Sequence, residues 1–316
     1  MRAHRTPRAL VALTLGGLSL AFAGAAAARG PRDGRVAVDQ ICAPFGCFPG
    51  DAPGWPIEIT QPGAYVLTSN LDVRAEPTPE NVTAVQVAAP GVDLDLGGFA
   101  LHGPVICATG APGSCTPSGG TGDGVRGTSA ALALRVHDGS ITGFGRNGVY
   151  AEGDLATIER VRLGQMGSTA VVAIGAVARL SGLLVLRSGG AGVYTGGVGG
   201  SLFDSSVAED ALGGVSTGDA AQLQTVVVET GIAGAAYTGL GSRLTHVEAW
   251  GDGKAIWVGA GSSVLHSRAE GSSTPYLFCG QQAAYSGLIL TYGGQPVVGG
   301  SGLSLGQNAC YAGGAC

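Results

Sequence analysis

The sequence predicts an all-β protein built as a β-solenoid, and three observations indicate this fold. First, an apolar residue recurs with steps of 22, 22, 22, 21, 21 and 20 residues, at Val136, Ile158, Leu180, Leu202, Leu223, Leu244 and Val264. Second, two further apolar series move along the chain in step with it. Third, apolar residues in each copy alternate around one outward position, which is the period of a strand with one buried face.

The three series assign three short strands to each repeat. The second strand of a repeat contains the series above. The first strand contains Val149, Val171, Val193, Val215, Ala236 and Ile256, and the third contains Ile141, Leu163, Val185, Val207, Val228, Ala249 and Ala269. Glycine-rich turns separate the strands, as tight corners require. Such a repeat buries its inner face only when neighbours stack on it, so about eight coils of roughly 20 to 24 residues are expected between residues 82 and 273.

A leucine-rich repeat has a similar period and is the competing fold, but its asparagine and regular leucine pattern are absent from these repeats. The chain resembles the secreted bacterial right-handed parallel β-helix proteins with the pectate-lyase-like fold. The resemblance covers residues 55 to 310 and is carried by ITQPGAYVLTSNLDV (59 to 73), VTAVQVAAPGVDLDLGGFALHG (82 to 103) and DGSITGFGRNGVYA (138 to 151). It implies a right-handed parallel β-helix but does not specify an activity, because this superfamily contains lyases, hydrolases and epimerases.

The first 28 residues predict an export signal. Three arginines in the first eight residues precede an apolar stretch, and Ala26 and Ala28 fit a small-residue cleavage site. An uncleaved membrane anchor is the alternative, which the glycines of the stretch disfavour. We therefore expect a secreted or periplasmic mature chain, in which 14 basic and 22 acidic residues make nucleic acid a poor partner.

All seven cysteines lie after the export signal, which suits an oxidising compartment. Their positions favour two local disulfides and one C-terminal closure. These links are Cys42–Cys47, Cys107–Cys115 and Cys279–Cys310. Cys316 competes for either partner of the closure. Metal binding by the cysteines is disfavoured, because the sequence has no CxxC pair or histidine-containing ligand cluster.

The ends of the solenoid are expected to be capped, since an open coil exposes an apolar cross-section and unpaired strand edges. Residues 29 to 81 are interpreted as an N-terminal cap with entry strands, and residues 274 to 316, where the period breaks, as a C-terminal cap. One excursion, residues 104 to 122, is expected to protrude from the repeat as a loop. Such a loop either gates a ligand groove or is a variable ornament.

Binding and catalysis must come from outward positions, because aliphatic side chains fill the inward ones. The first strands place their outward residues in one row, named the aromatic row: Gln86, Arg126, Tyr150, Val172, Tyr194, Ser216, Tyr237 and Trp257. In the fold that the chain resembles, this sheet forms the floor of a polysaccharide-binding groove. Tyr150, Tyr194, Tyr237 and Trp257 are therefore candidate ligand-binding residues, since aromatic rings stack on the apolar faces of sugars. Their alternative role is strand formation, in which aromatics are common.

Acidic residues that follow the third strands are the candidates for catalysis. They are Asp210, Glu229, Asp252 and Glu270, to which Arg126 adds the basic group of the aromatic row. If these acids line one rim, carboxylates would lie roughly 5 to 7 Å apart on adjacent coils and about 10 Å apart across two, a range that overlaps glycosidase spacing. A solvated acidic edge is the alternative interpretation.

Two other sets of polar residues are interpreted as surface. The second strands carry an outward series that begins with Asp95 and Arg135 and is expected to be solvated. His246 and His266 are expected to stack at the bend between second and third strands, on another side of the solenoid, as turn residues rather than catalysts.

These features favour a secreted polysaccharide-binding protein. Lyases of the resembled fold need a basic proton acceptor and calcium-holding acids, whereas the aromatic row has Arg126 and no outward carboxylate among its eight residues. A polysaccharide lyase or glycoside hydrolase of the pectate-lyase-like superfamily is the first alternative, and a structural or adhesive surface solenoid is the second. We expect a monomer whose partner is a polysaccharide, without cofactor or metal and without a nucleic-acid or membrane partner in the mature chain.

Overall fold

The chain forms a parallel β-solenoid, as predicted. The computed structural model describes residues 34–111, 113–210, 212–230, 234–251, 254–271, 277–291, 298–300, 302–306 and 308–311. Strands of successive coils pair in parallel, and helix in these ranges is limited to the 3-10 segments Ala43–Phe45 and Pro79–Asn81. Within them no helix has the length and apolar character that crossing a membrane requires.

Sheet 1 consists of the first strand of each coil and has 11 strands. They are Ile57–Ile59, Val85–Val87, Val125–Gly127, Val149–Ala151, Val171–Ala173, Ala191–Thr195, Gly213–Thr217, Ala236–Thr238, Ile256–Val258, Leu277–Cys279 and Val298–Gly300. Eight of these strands lie between residues 82 and 273, the number of coils expected there. Parallel pairing continues on both sides of that range, through Ile57–Ile59 and Leu277–Cys279.

Sheet 2 consists of the second and third strands and has 18 strands. They are Val36–Val38, Gly63–Leu67, Leu71–Asp72, Val92–Asp95, Ala100–His102, Arg135–Thr142, Thr157–Met166, Arg179–Ser181, Leu184–Ser188, Ser201–Asp210, Gln222–Thr230, Arg243–Gly251, Ser263–Leu265, Arg268–Gly271, Ala284–Ser286, Ile289–Thr291, Leu303–Ser304 and Ala309–Tyr311. In several coils the second and third strands run on as one bent strand, so the two outward faces of sheet 2 meet at a corner.

A single residue with positive φ makes that corner in eight successive coils, beginning with the strand Arg135–Thr142. These residues are Asp138, Arg160, Gly182, Asp204, Thr225, His246, His266 and Gly287, with φ between 47° and 64°. A second series makes the corner before the second strand: Ala133, Leu155, Val177, Gly199, Ala220, Gly241, Gly261 and Gln282. Non-glycine residues adopt this conformation rarely, and β-branched Val177 least of all. The hydrogen bonds between stacked coils therefore impose the corner on whichever residue stands there.

The coils shorten along the axis. Val193 to Leu202, from first to second strand, spans nine positions, whereas the paired Val215 to Leu223 spans eight. Inside, the three inward series stack into one continuous buried cluster. Leu180, Val185 and Val193 of one coil are each fully buried in it.

The excursion at residues 104 to 122 contains an antiparallel hairpin, Ile106–Cys107 with Cys115–Thr116, closed by a Cys107–Cys115 disulfide. The hairpin packs on the corner that follows the third strands. Gln165 accepts a hydrogen bond from the Cys107 amide, and the Cys115 sulfur lies 3.4 Å from the Met166 carbonyl oxygen. The excursion is thus attached to the flank of the solenoid.

The expected Cys279–Cys310 disulfide is wrong, whereas the Cys42–Cys47 disulfide is present. Cys279 is a free, fully buried thiol that faces the core from sheet 1, opposite Gly300. Cys310 lies in sheet 2 opposite Leu290, so the two cysteines belong to different sheets. Burial raises the pKa of the Cys279 thiol to about 11. Cys316 lies outside the described residues.

A row of threonines interrupts the apolar interior. Thr195, Thr217 and Thr238 are neighbours in register in sheet 1, and each is at most 9% exposed. Their hydroxyl groups are buried without a hydrogen-bond partner among the described residues. A buried hydroxyl that lacks a partner keeps its desolvation cost uncompensated.

We predict that Thr217→Val stabilises the protein by about 1 kcal/mol, because a methyl group replaces a hydroxyl that makes no hydrogen bond. The free energy of unfolding, measured with denaturant, tests this. Thr245→Val is the control, since Thr245 faces outward on sheet 2 and is half-buried. A loss of stability in Thr217→Val would show that the hydroxyl is satisfied in solution.

Candidate functional site

The aromatic row is present on the outer face of sheet 1. Its members are Cα partners in unbroken succession from Gln86 to Trp257, and Glu58 precedes them. Parallel strands are about 4.8 Å apart. Tyr150 and Tyr194 therefore stand two coils apart, as do Tyr194 and Tyr237, while Trp257 follows Tyr237 directly.

The second half of the row offers exposed aromatic surface. Tyr194 and Trp257 are 41% and 40% exposed. Tyr237 is half-buried and meets Trp257 edge-on, with ring centroids 5.5 Å apart. Glycines make room for two rings: a Cβ at Gly196 would lie 3.1 Å from the Tyr194 ring, and one at Gly234 would lie 2.4 Å from the Tyr237 hydroxyl.

A cation accompanies the row at each end. The Lys254 ammonium lies 4.6 Å from the centroid of the Trp257 ring. At the other end, the guanidinium groups of Arg126 and Arg146 lie 5.1 and 5.0 Å from the Tyr150 centroid. Cation–π contacts of this kind hold a ring in place. Tyr150, with two guanidinium groups against its ring, is consequently less available for stacking than Tyr194.

A buried carboxylate organises the Tyr150 end. Asp123 is fully buried, accepts two hydrogen bonds from the Arg146 guanidinium and lies 3.5 Å from Arg126. The Arg126 guanidinium also pairs with the Glu152 carboxylate at 3.1 Å. Burial of the Asp123 charge is tolerable because charged and amide donors surround it. The candidate Arg126 is therefore occupied by two carboxylates.

Asp123 also starts a ladder of polar side chains along the turns that lead into sheet 1. Asn147 donates both its backbone N–H and its side-chain amide to Asp123, at 3.1 and 3.0 Å. The side-chain Oδ1 of Asn147 in turn accepts a hydrogen bond from the Thr169 backbone N–H at 3.3 Å. These bonds join three coils at the edge of the aromatic row, so the ladder supports the strands on which Arg126 and Tyr150 stand.

The acidic rim expected from the sequence does not form at Asp210. The register shifts between Ala208 and Asp210, and Glu209 at the shift has a φ of 57°. Gln165 and Arg187 form the same corner in the two preceding coils, with φ of 61° and 62°. Asp210 therefore takes the inward position that Met166 and Ser188 occupy in those coils, and it is fully buried. One carboxylate oxygen accepts the Ser188 backbone N–H at 2.8 Å, while the other has no partner among the described residues. Burial raises the pKa of Asp210 to about 8.

Two other candidate acids face outward from sheet 2. Glu229 and Glu270 lie within third strands, on either side of Trp250 in one register row. The Trp250 indole donates to Glu270 at 3.2 Å, and Arg268 pairs with the same carboxylate at 3.1 Å. Glu229 and Glu270 are thus two strands apart, about 10 Å, but on a different sheet from the aromatic row. Asp252 lies outside the described residues.

The second strands hold an ionic network within the polar surface expected from the sequence. Arg135 stands opposite Asp93 rather than Asp95, and Asp95 stands opposite His137. His137 is 7% exposed, with one ring nitrogen 2.9 Å from Asp93 and the other 2.6 Å from Asp138. The network also includes Arg35, Glu159 and Arg160.

Three members of this network, Asp95, His137 and Asp138, bring potential metal-ligand atoms within 4.8 Å of one another. Arginines already engage both carboxylates, Arg35 that of Asp95 and Arg160 that of Asp138. Hydrogen bonds from Arg160 and His137 hold the pKa of Asp138 well below its usual range. The group is therefore better described as a closed set of ion pairs than as a metal site.

Comparisons with known proteins give no family. No protein-family model matches the chain, and no curated protein matches it. Among solved structures, the chain is similar to the A-module of the mannuronan C-5 epimerase AlgE4 from Azotobacter vinelandii. The identity is 10%, the match covers 80% of this chain and 90% of that module, and the TM-score is 0.38.

We predict that Asp210 makes stability fall as the pH rises. Its pKa of about 8 in the folded protein exceeds the value of roughly 3.9 in an unfolded chain, so the folded state binds the proton more tightly. The stabilisation that protonated Asp210 provides is complete below its pKa in the unfolded chain. It is lost as the pH rises toward 8, at up to about 1.4 kcal/mol per pH unit. Asp210→Asn should remove this slope.

The measurement is the melting temperature of both proteins between pH 4 and pH 8.5. Asp204→Asn is the control, because Asp204 lies on the same strand with an exposed carboxylate, and asparagine tolerates its positive φ. Parallel pH profiles for wild type and Asp210→Asn would contradict the prediction.

Proposed function

We propose that the aromatic row binds an extended polysaccharide outside the cytoplasm. The observation that carries the proposal is the single line of outward aromatic residues, of which Tyr194 and Trp257 are exposed by about 40%. Tyrosine and tryptophan supply flat apolar area for a sugar face while their polar tips remain hydrated. A line of such rings suits a long, repeating ligand better than a small molecule.

The polar groups of the row support the same ligand class. Between the rings, Ser216 is a small half-buried hydroxyl neighbour of Tyr194 and Tyr237. The ammonium group of Lys254, beside the Trp257 ring, adds a hydrogen-bond donor for sugar hydroxyl or carboxylate oxygens. The export signal expected at residues 1 to 28 and the two disulfides fit a chain that meets such a polymer after secretion.

We favour polysaccharide binding without turnover over catalysis, because the candidate catalytic acids do not lie together beside the aromatic row. Asp210 is buried, and Glu229 and Glu270 face outward from sheet 2. Glu152, which the sequence analysis did not select, is the carboxylate beside Tyr150, and Arg126 neutralises it. A lyase or hydrolase and a purely structural solenoid remain the alternatives that the experiment separates.

We predict that Trp257→Ala and Tyr194→Ala each weaken glycan retention by about five- to thirtyfold, which corresponds to roughly 1 to 2 kcal/mol for the loss of one stacking ring. The purified protein is passed over a panel of immobilised acidic and neutral glycans, and retention is measured together with new reducing or unsaturated ends.

Trp250→Ala is the matched control, because Trp250 is a half-buried aromatic on the other sheet. It should leave retention unchanged. If both row variants bind as well as wild type, the aromatics serve the strands and not a ligand. Release of new ends would assign catalysis, and neither retention nor release would favour the structural solenoid.

A further inference from the structure

Two histidines and a glutamate outside the aromatic row converge on one concavity of sheet 2. His246 and His266 occupy the positive-φ corner of successive coils, with φ of 53° and 48°. Glu248 follows His246 by two residues and stands in register opposite Arg268. All four residues border a cavity of about 370 Å³, and we name His246, Glu248 and His266 the histidine corner.

The shared backbone conformation aims the two imidazoles the same way. Their ring centroids are 5.6 Å apart, with 20° between the planes, and both side chains are exposed. Gly287 occupies the corner of the next coil, where a Cβ would lie 2.6 Å from the His266 Nδ1. Glycine at that position leaves space beside the second ring.

The three side chains are uncommitted within the described part of the chain. None of them makes a side-chain hydrogen bond or ion pair with another described residue, in contrast to the neighbouring Arg268, which pairs with Glu270 at 3.1 Å. Arg268 also lies 5.9 Å from the Trp250 ring centroid. Because Glu270 neutralises the guanidinium, the carboxylate of Glu248 leaves the cavity with a net negative charge.

We propose that the histidine corner binds a divalent transition-metal ion of the Zn²⁺ type. Two imidazole nitrogens and one carboxylate oxygen are a ligand set that such ions take, whereas Ca²⁺ and Mg²⁺ prefer oxygen ligands alone. In the structure the ligand atoms of these three side chains do not all lie within 4.8 Å of one another. Both imidazoles and the Glu248 carboxylate must therefore turn about their side-chain torsions to reach a common ion, and exposed side chains rotate in this way readily. Water from the cavity completes the coordination shell.

The ionic network around His137 is a poorer site for a divalent metal ion. There, Arg35 and Arg160 hold the carboxylates, so an incoming cation would have to displace two guanidinium groups. At the histidine corner a cation displaces only solvent from the three side chains. This difference makes the exposed pair, rather than the buried histidine, the better metal ligand.

Titration of the chelator-treated protein with Zn²⁺, followed by calorimetry, tests the proposal. We expect one equivalent to bind saturably and to raise the melting temperature, and the affinity to fall in acid, where protons compete for the imidazole nitrogens. His246→Asn and His266→Asn should each weaken binding at least about tenfold. Asparagine tolerates the positive φ of both positions, so these variants should keep the fold.

His102→Asn is the matched control, because His102 lies on sheet 2 with its ring nitrogen 3.2 Å from the Thr142 hydroxyl. It should bind Zn²⁺ as the wild type does. Glu248→Gln should weaken binding and leave the melting temperature of the metal-free protein unchanged. Absence of saturable Zn²⁺ binding, or unchanged affinity in the double histidine variant or in Glu248→Gln, would overturn the proposal.

Discussion

Each coil hydrogen-bonds in parallel to the coils before and after it, and this ladder determines which residues face outward. Between Val85 and Val258, sheet 1 keeps one register without a slip. A shift of one residue would exchange the buried and exposed faces of a strand. The aromatic row, the threonine row and the histidine corner are therefore products of the same pairing, and none of them is set by local sequence alone.

The sequence was sufficient to predict the fold and the aromatic row. Both follow from apolar residues that repeat with the coil, such as Val193 and Val215, and from the polar or aromatic residue next to each. The pairing of Tyr237 with Trp257 was predictable for the same reason, since parallel stacking places equivalent positions side by side. The stacking of His246 and His266 at their corner was also predictable from equivalent positions.

Other features were missed because the three apolar series do not cover them. Glu209 stands at a positive-φ corner that recurs at Gln165 and Arg187, so Asp210 takes the buried position that Met166 and Ser188 occupy in the preceding coils. Similarly, the first coils pair Asp93 with Arg135, an offset that the long excursion between them conceals. The Asp123 cluster unites residues from two coils and a loop end, so its members had no shared spacing by which to find them. The signal nearest to it was an acid placed two residues before a strand, Asp123 before Val125.

The segment from first to second strand shortens from nine to eight positions along the solenoid. The solenoid therefore contains coils of two lengths, and only coils of the same length can replace one another. Coils of equal length, such as those that begin at Val149 and Val171, have the same perimeter and are interchangeable building blocks. Duplicating one such block would lengthen the outer surface by one strand spacing, about 4.8 Å, without disturbing its neighbours. Gain or loss of whole blocks is thus a route by which a protein of this architecture changes the length of its outer surface.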